Sequence, residues 1–166
     1  MTTSPAPATP GLWKRLACAA YEGCLLFGVC FITSYLFLTL SQSTWPLPPE
    51  RKLLFQLWEF GWIGAYFVWF WRRGGQTLAL KTWHLRLVAR DGGAVVWWRA
   101  ALRYVLSWAP LLPAALCFEL APEGLQNRAF GLGLLLGITL QWGWAVVDRE
   151  RQFLHDRLLG TRFVGA

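Results

Sequence analysis

Long apolar runs separated by short polar stretches set the plan of this chain. The first, Leu12 to Leu40, opens on Lys14-Arg15 and carries one carboxylate, Glu22. It is much longer than the apolar core of a signal peptide and no convincing cleavage site follows, so it predicts a retained helix over about 13–40. Ser41 to Lys52 holds three prolines and breaks the pattern. A second run over about 53–71 ends in Tyr66, Phe67, Trp69, Phe70 and Trp71 before Arg72-Arg73, an aromatic belt of the kind found at a membrane boundary. The stretch from Gly74 to Trp98 is too polar to cross. Within it, GGQTLALKTWHL predicts an interfacial turn of helix, and LRLVARDGGAVV predicts two extended pieces around Asp91-Gly92-Gly93, a hairpin signal. A third run over about 99–120 is expected to kink at Pro110 and Pro113, which neighbouring helices tolerate in a membrane. The fourth, about 129–147, has Gly133 and Gly137 at a spacing that lets helix backbones approach; ordinary glycine usage in membrane helices gives the same pattern. Residues 1–11, rich in Pro, Thr and Ala, read as a disordered tail, and the chain from Asp148 onward reads as a polar tail.

The expected fold class is therefore all-α membrane. Four transmembrane helices form a single domain over 12–166, with a small cytoplasmic interfacial helix and hairpin between helices 2 and 3. Composition agrees: 55% of the 166 residues are hydrophobic, more than one soluble core of this length needs. Crossing about 30 Å of hydrocarbon takes roughly 20 apolar residues, and four runs approach that length.

Charge then orients the chain. From Arg72 to Arg103 there are seven Arg/Lys against one Asp, net +6. The opposite loops carry +1 (Glu50, Arg51, Lys52) and −1 (Glu119, Glu123, Arg128). The positive-inside rule puts the central loop and both termini in the cytoplasm. Anionic lipid headgroups account for the basic loop, and no Lys/Arg-rich module for nucleic acid is visible. Cys18, Cys24 and Cys30 are six apart and project in different directions on a helix, so with Cys117 they read as small apolar fillers. No acid or Cys lies at ligand spacing around His84, which argues against a metal, and no nucleophile motif, phosphate loop or dinucleotide fingerprint occurs. The expectation is a non-enzymatic protein without a cofactor.

The candidate chemistry lies in the polar residues of the apolar runs. Arg15 and Glu22 project within roughly 20° of one another on a helix but stand about 10.5 Å apart along its axis. An ionisable group at that depth faces a bundle interior or a wet cavity. Glu22 is either an ion- or proton-binding carboxylate or a structural tie to Arg15, Arg99 or Arg103. Arg99 and Arg103, four apart, share a face at the entrance to the third run. Glu59 reads as a snorkelling interfacial residue near the outer end of its helix. Asp148 and Asp156, with Arg149, Arg151 and Arg157 nearby, read as solvated ion pairs.

The acid seven residues after Arg15, the GGQTL start after the second run, RLVARDGG followed by Arg99-Ala100-x-x-Arg103, and the closing LHDRLLGTRFV together resemble the RDD family of bacterial membrane proteins. The resemblance extends over essentially the whole chain from Gly11. It places the family's Arg on Arg15, its first Asp on Glu22 and its second Asp on Asp156. Glu22 departs from the pattern by one methylene, which would disturb tight coordination geometry more than a proton site or a flexible ion pair. Ala79 stands where the family commonly has Gly. For Asp156 the resemblance implies docking against the central basic loop.

Two functions follow as expectations. Some relatives are associated with sodium/proton exchange, so the resemblance implies an inner-membrane protein that moves ions or a small solute, with Glu22 as the coupling carboxylate and Arg15 modulating it. Four crossings are few for a translocation path, which would require a homo-oligomer or another membrane-protein partner beside the lipid. The alternative is a non-catalytic membrane subunit or assembly factor in which the Arg/Glu pair is a structural lock.

Overall fold

The computed structural model describes residues 10–148 and 152–165. The N-terminal stretch read as a disordered tail lies almost wholly outside these residues, as do Arg149 and Arg151. The chain forms helix α1 (Leu12–Leu40), helix α2 (Pro49–Arg73), a short helix α3 (Leu78–Thr82) and strand β1 (Leu85–Ala89). Helices α4 (Trp97–Ser107), α5 (Leu111–Leu120), α6 (Gln126–Val147) and α7 (Leu154–Leu159) follow, and strand β2 (Thr161–Gly165) comes last.

Among the described residues, three stretches are long and apolar enough to cross a membrane: Trp13–Leu40, Trp97–Leu120 and Gln126–Val147. Their apolar side chains point outward, Phe27, Phe31, Leu132 and Leu136 among them, as expected of helices bathed in lipid. Helix α2 is 25 residues long and dense in tryptophan. Its ends are well matched to the helix dipole, with a proline in the first turn beside Glu50 and with Arg72 and Arg73 in the last.

The third stretch breaks between α4 and α5. Pro110 has no N–H to continue the ladder, and the chain turns there through the shorter bonds Trp108 N to Val105 O and Leu111 N to Trp108 O. Pro113 falls in the first turn of α5, where its missing N–H costs nothing, and it makes no second break.

Helices α5 and α6 form the tightest seam. Gly133 and Gly137 are buried against α5: a Cβ on Gly133 would lie 2.6 Å from Ala114 Cα, and one on Gly137 would lie 2.8 Å from the Pro110 carbonyl carbon. The glycine spacing is thus consumed within the chain. Because the obstruction is backbone and cannot rotate aside, Gly137→Ala is expected to cost about 2 kcal/mol, within the usual range for overpacking. Thermal melting of the detergent-purified protein checks this, and Gly143→Ala, where no atom lies within 4 Å, should leave the melting point in place.

The predicted hairpin is corrected. Asp91-Gly92-Gly93 does make a turn, with Gly93 N donating to Asp91 Oδ1 at 2.9 Å, but no strand follows it directly. The partner of β1 is β2 from the C-terminal segment, antiparallel, with Leu85 opposite Gly165 and Ala89 opposite Thr161. Val95 is buried and leads straight into α4, so the residues after the turn are spent on entering a helix. The C-terminal segment is likewise a folded element. Gly160, at φ 62°, supplies the left-handed cap that ends α7 and redirects the chain into β2.

Helix α3, the β1–β2 ribbon and α7 together cap one end of the bundle. The start of α1, the end of α2, the start of α4 and the end of α6 all meet there. The core of this end joins Cys18, Trp71, Ala79, Leu80, Leu85, Leu87, Val95, Ala100 and Tyr104. Three residues of GGQTL, Gly75 to Thr77, have visible roles. Gly75, at φ 68°, lets the backbone approach β1, where its carbonyl accepts from Leu87 N at 2.7 Å; this left-handed conformation is one that glycine adopts freely. Gln76 Nε2 donates to Leu85 O at 2.8 Å. Thr77 Oγ1 accepts from Leu80 N at 3.3 Å and so caps α3.

Candidate functional site

Asp156 enters on the first turn of α7 and is completely buried. Its Oδ1 accepts from Arg103 Nε at 2.8 Å and from Thr161 Oγ1 at 2.9 Å, while Arg15 Nη2 lies 3.8 Å from Oδ2. Arg15 from α1, Arg103 from α4 and Asp156 from α7 are thereby gathered from distant parts of the chain. The guanidiniums lie over aromatic faces: Arg15 is 4.2 Å from the Phe153 ring centre, and Arg103 is 4.4 Å from Trp71 and 4.9 Å from Phe163, contacts that favour a cation over the negative face of a ring. Burial alone would push the Asp156 carboxyl up, but Arg103, with His155 and Arg15, outweighs it and holds the group below the ordinary carboxylate value.

His155 is buried beside it, 3.8 Å from Asp156 Oδ1 and stacked on Phe153. Burial lowers its pKa to about 4; Asp156 opposes the shift, and Arg103 and Arg15 add to it. The imidazole is neutral at physiological pH. Asp148 is buried too, accepting from Gln152 N at 3.0 Å and pairing with Arg157. The expectation of solvated pairs for Asp148 and Asp156 is therefore corrected: the C-terminal segment folds back over them.

Glu22 stands apart from this cluster. Arg15 turns to Asp156 instead, and the Glu22 carboxylate is held by two hydroxyls: Tyr66 Oη of α2 donates to Oε1 at 2.7 Å, and Thr77 Oγ1 donates to Oε2. Arg99 is also apart, its guanidinium 5.2 Å from the Trp98 ring centre. Of the five residues singled out from the sequence, three meet at Asp156, Glu22 forms a separate centre, and Arg99 joins neither.

A cavity of about 300 Å³ connects the two centres. Arg15, Glu22, Arg103 and His155 line it beside Phe67, Trp71, Trp142, Phe153 and Phe163. Helix α1 packs on α2 and α3, α6 packs on α5 and α7, and the cavity takes side chains from both α1 and α6. Gly23 of α1 and Trp142 of α6 lie on its two walls. Among the described residues, no group of three or more His, Cys, Asp or Glu side chains could hold a metal.

Glu59 is not a snorkelling residue. Its Oε2 accepts from Thr33 Oγ1 at 2.7 Å and its Oε1 from Ser34 Oγ at 2.9 Å, both on α1. Glu59 and Tyr66 are seven apart on α2, and Glu22 and Thr33 are eleven apart on α1. Both spacings are near whole numbers of turns and place each pair on one face. That periodicity is the signal by which Tyr66 and Thr33 could have been found. Thr161 and Phe163 lie in the LHDRLLGTRFV stretch that carries the resemblance, but no spacing marked them individually.

Carboxylates set deep in apolar helices and satisfied by hydroxyls of their neighbours, under a lipid-facing exterior, define a membrane-type helical protein. The RDD family model matches residues 9–160, and the chain belongs to the RDD family. It matches no curated protein and no solved structure.

Proposed function

We propose that this RDD protein crosses a bacterial inner membrane four times, α2 included, with both termini and the cap in the cytoplasm, and that it moves an ion or small solute coupled to protons at Glu22. Helix α2 has 25 residues. A rise of about 1.5 Å per residue makes it long enough for the fourth crossing. The observation that carries the reading is a cavity reaching a carboxylate held by neutral hydroxyls and not by an arginine. An arginine would fix the ionised form. A hydroxyl donates to a carboxylate and accepts from a carboxylic acid, so Tyr66 and Thr77 serve both protonation states. Arg15, engaged with Asp156, acts on Glu22 only at a distance. No catalytic step is assigned.

The second reading, a non-catalytic membrane subunit, draws on the Arg15–Asp156–Arg103 cluster, which ties the first helix to the C-terminal segment as a lock would. Against it, the glycine seam that a partner helix would use is filled by α5. Reconstitution in liposomes tests both, with sodium- or potassium-driven proton movement measured for wild type and Glu22→Gln. Flux abolished by the substitution is the expected result. Folded protein that moves no protons in either form would put the subunit reading in front.

A further inference from the structure

We infer that Glu59, cradled by Thr33 and Ser34, is a second proton-binding site inside the membrane. It stands roughly 16 Å of helix rise beyond Glu22 on the α1–α2 seam. Thr33 Oγ1 has one hydrogen and three acceptors in reach: Glu59 Oε2 at 2.7 Å, Val29 O at 3.0 Å and Cys30 O at 3.2 Å. With Glu59 ionised, that hydrogen must go to the carboxylate. When a proton binds at Oε2, the new O–H donates to Thr33 Oγ1, and the threonine hydrogen turns to Val29 O or Cys30 O. Nothing else moves and no bond is left unmade, so one hydroxyl rotation accommodates the arriving proton.

Among the described residues no salt bridge reaches Glu59. The titratable side chains near it are the Cys30 thiol on α1 and, at the neighbouring Phe60 carbonyl, the Tyr104 phenol on α4, which donates to that carbonyl at 2.8 Å. Trp58 Nε1 donates to Thr33 O at 3.0 Å and holds the α1 side of the cradle in place. Charge in hydrocarbon is costly unless it is paired, and here the pairing available is by the two hydroxyls, by the Cys30 thiol and by protonation. Two hydroxyls converge on one carboxylate, and the first has backbone acceptors behind it, so the cradle can satisfy both the ionised and the protonated acid.

The site's place inside the membrane rests on the proposed crossing by α2, and its place beside Glu22 on the transport reading, but its proton binding rests on neither. The test is pH-difference infrared spectroscopy of the full chain in lipid vesicles, reading the carbonyl stretch of protonated carboxyls. Wild type should show a titrating band that is lost in Glu59→Gln and kept in Glu22→Gln. Thr33→Val, which keeps the acid and removes the relay, should shift both the band and its midpoint, and this carries the test if Glu59→Gln fails to fold. A spectrum unchanged by both Glu59→Gln and Thr33→Val overturns the inference. Proton flux measured on the same vesicles separates the two ideas: a titrating Glu59 band without flux upholds this site and removes the transport reading, whereas flux without the band does the reverse.

Discussion

Asp156→Ala is expected to destabilise the protein by about 3–5 kcal/mol, the range found when one partner of a buried ion pair is deleted. Asp156 is wholly buried, and Arg103 and Arg15, which line the cavity, are only 4% and 5% exposed, so little water replaces the lost anion. The aromatic faces of Phe153, Trp71 and Phe163 ease the loss but cannot replace an anion that receives Arg103 Nε and Thr161 Oγ1 together. Since whole domains have only about 5–15 kcal/mol in hand, α7 and β2 should detach well before the long helices melt. Two observations check this. Tryptophan fluorescence of Trp71 and Trp142 should change early on heating in detergent, while helical circular dichroism persists. Coincident melting of both signals at the wild-type temperature would mean that the arginines are hydrated and the cluster is not a tie.

Acid should loosen the same cap, beginning with His155. An imidazole whose pKa falls from 6.5 to about 4 on folding binds its proton more readily in the unfolded chain. Its contribution is therefore fully present above pH 6.5 and is lost as pH falls through about 4. At about 1.36 kcal/mol per pH unit the loss amounts to roughly 3 kcal/mol. Asp156 is also depressed on folding, so it adds a second loss below its unfolded value of 3.8, as pH falls through its lower folded value. Melting points taken from pH 7 down to pH 4 should drop for wild type and stay much flatter for His155→Gln. Equal slopes for the two would show that the imidazole is not buried in solution.

The long helices were legible because a crossing helix is written as a local run of apolar residues, and Pro110 announces its own break. The cap was not. Its ribbon joins residues 85–89 to residues 161–165, and nothing near Asp91-Gly92-Gly93 distinguishes a turn that returns on itself from one that leads into α4. The site divided along the same line. Arg15 and Arg103 were singled out by their places at the entrances to the first and third runs, and Asp156 through the family resemblance, while the partnership of Arg15 with Asp156, rather than with the nearer Glu22, depended on how the C-terminal segment folds back. Glu59 was misplaced because a hydroxyl on another helix leaves no mark beside an acid in the sequence. Only the turn-spaced pairing of Glu59 with Tyr66, and of Glu22 with Thr33, hinted at a shared seam.

The return of the C-terminal segment also fixes an order of assembly. A ribosome releases α1, with Arg15 at its start, long before it has made the aspartate that Arg15 will face. The later helices can each insert as they emerge, but the joint around Asp156 and the β1–β2 ribbon must wait until residues 154–165 have been made. Until then, the first helix sits in the bilayer with its counter-ion still unmade. A chain halted just short of Leu154 would thus contain every long apolar helix and still lack the anion that Arg15 and Arg103 share. Unfinished copies would differ from finished ones in two arginines whose shared aspartate has yet to be made.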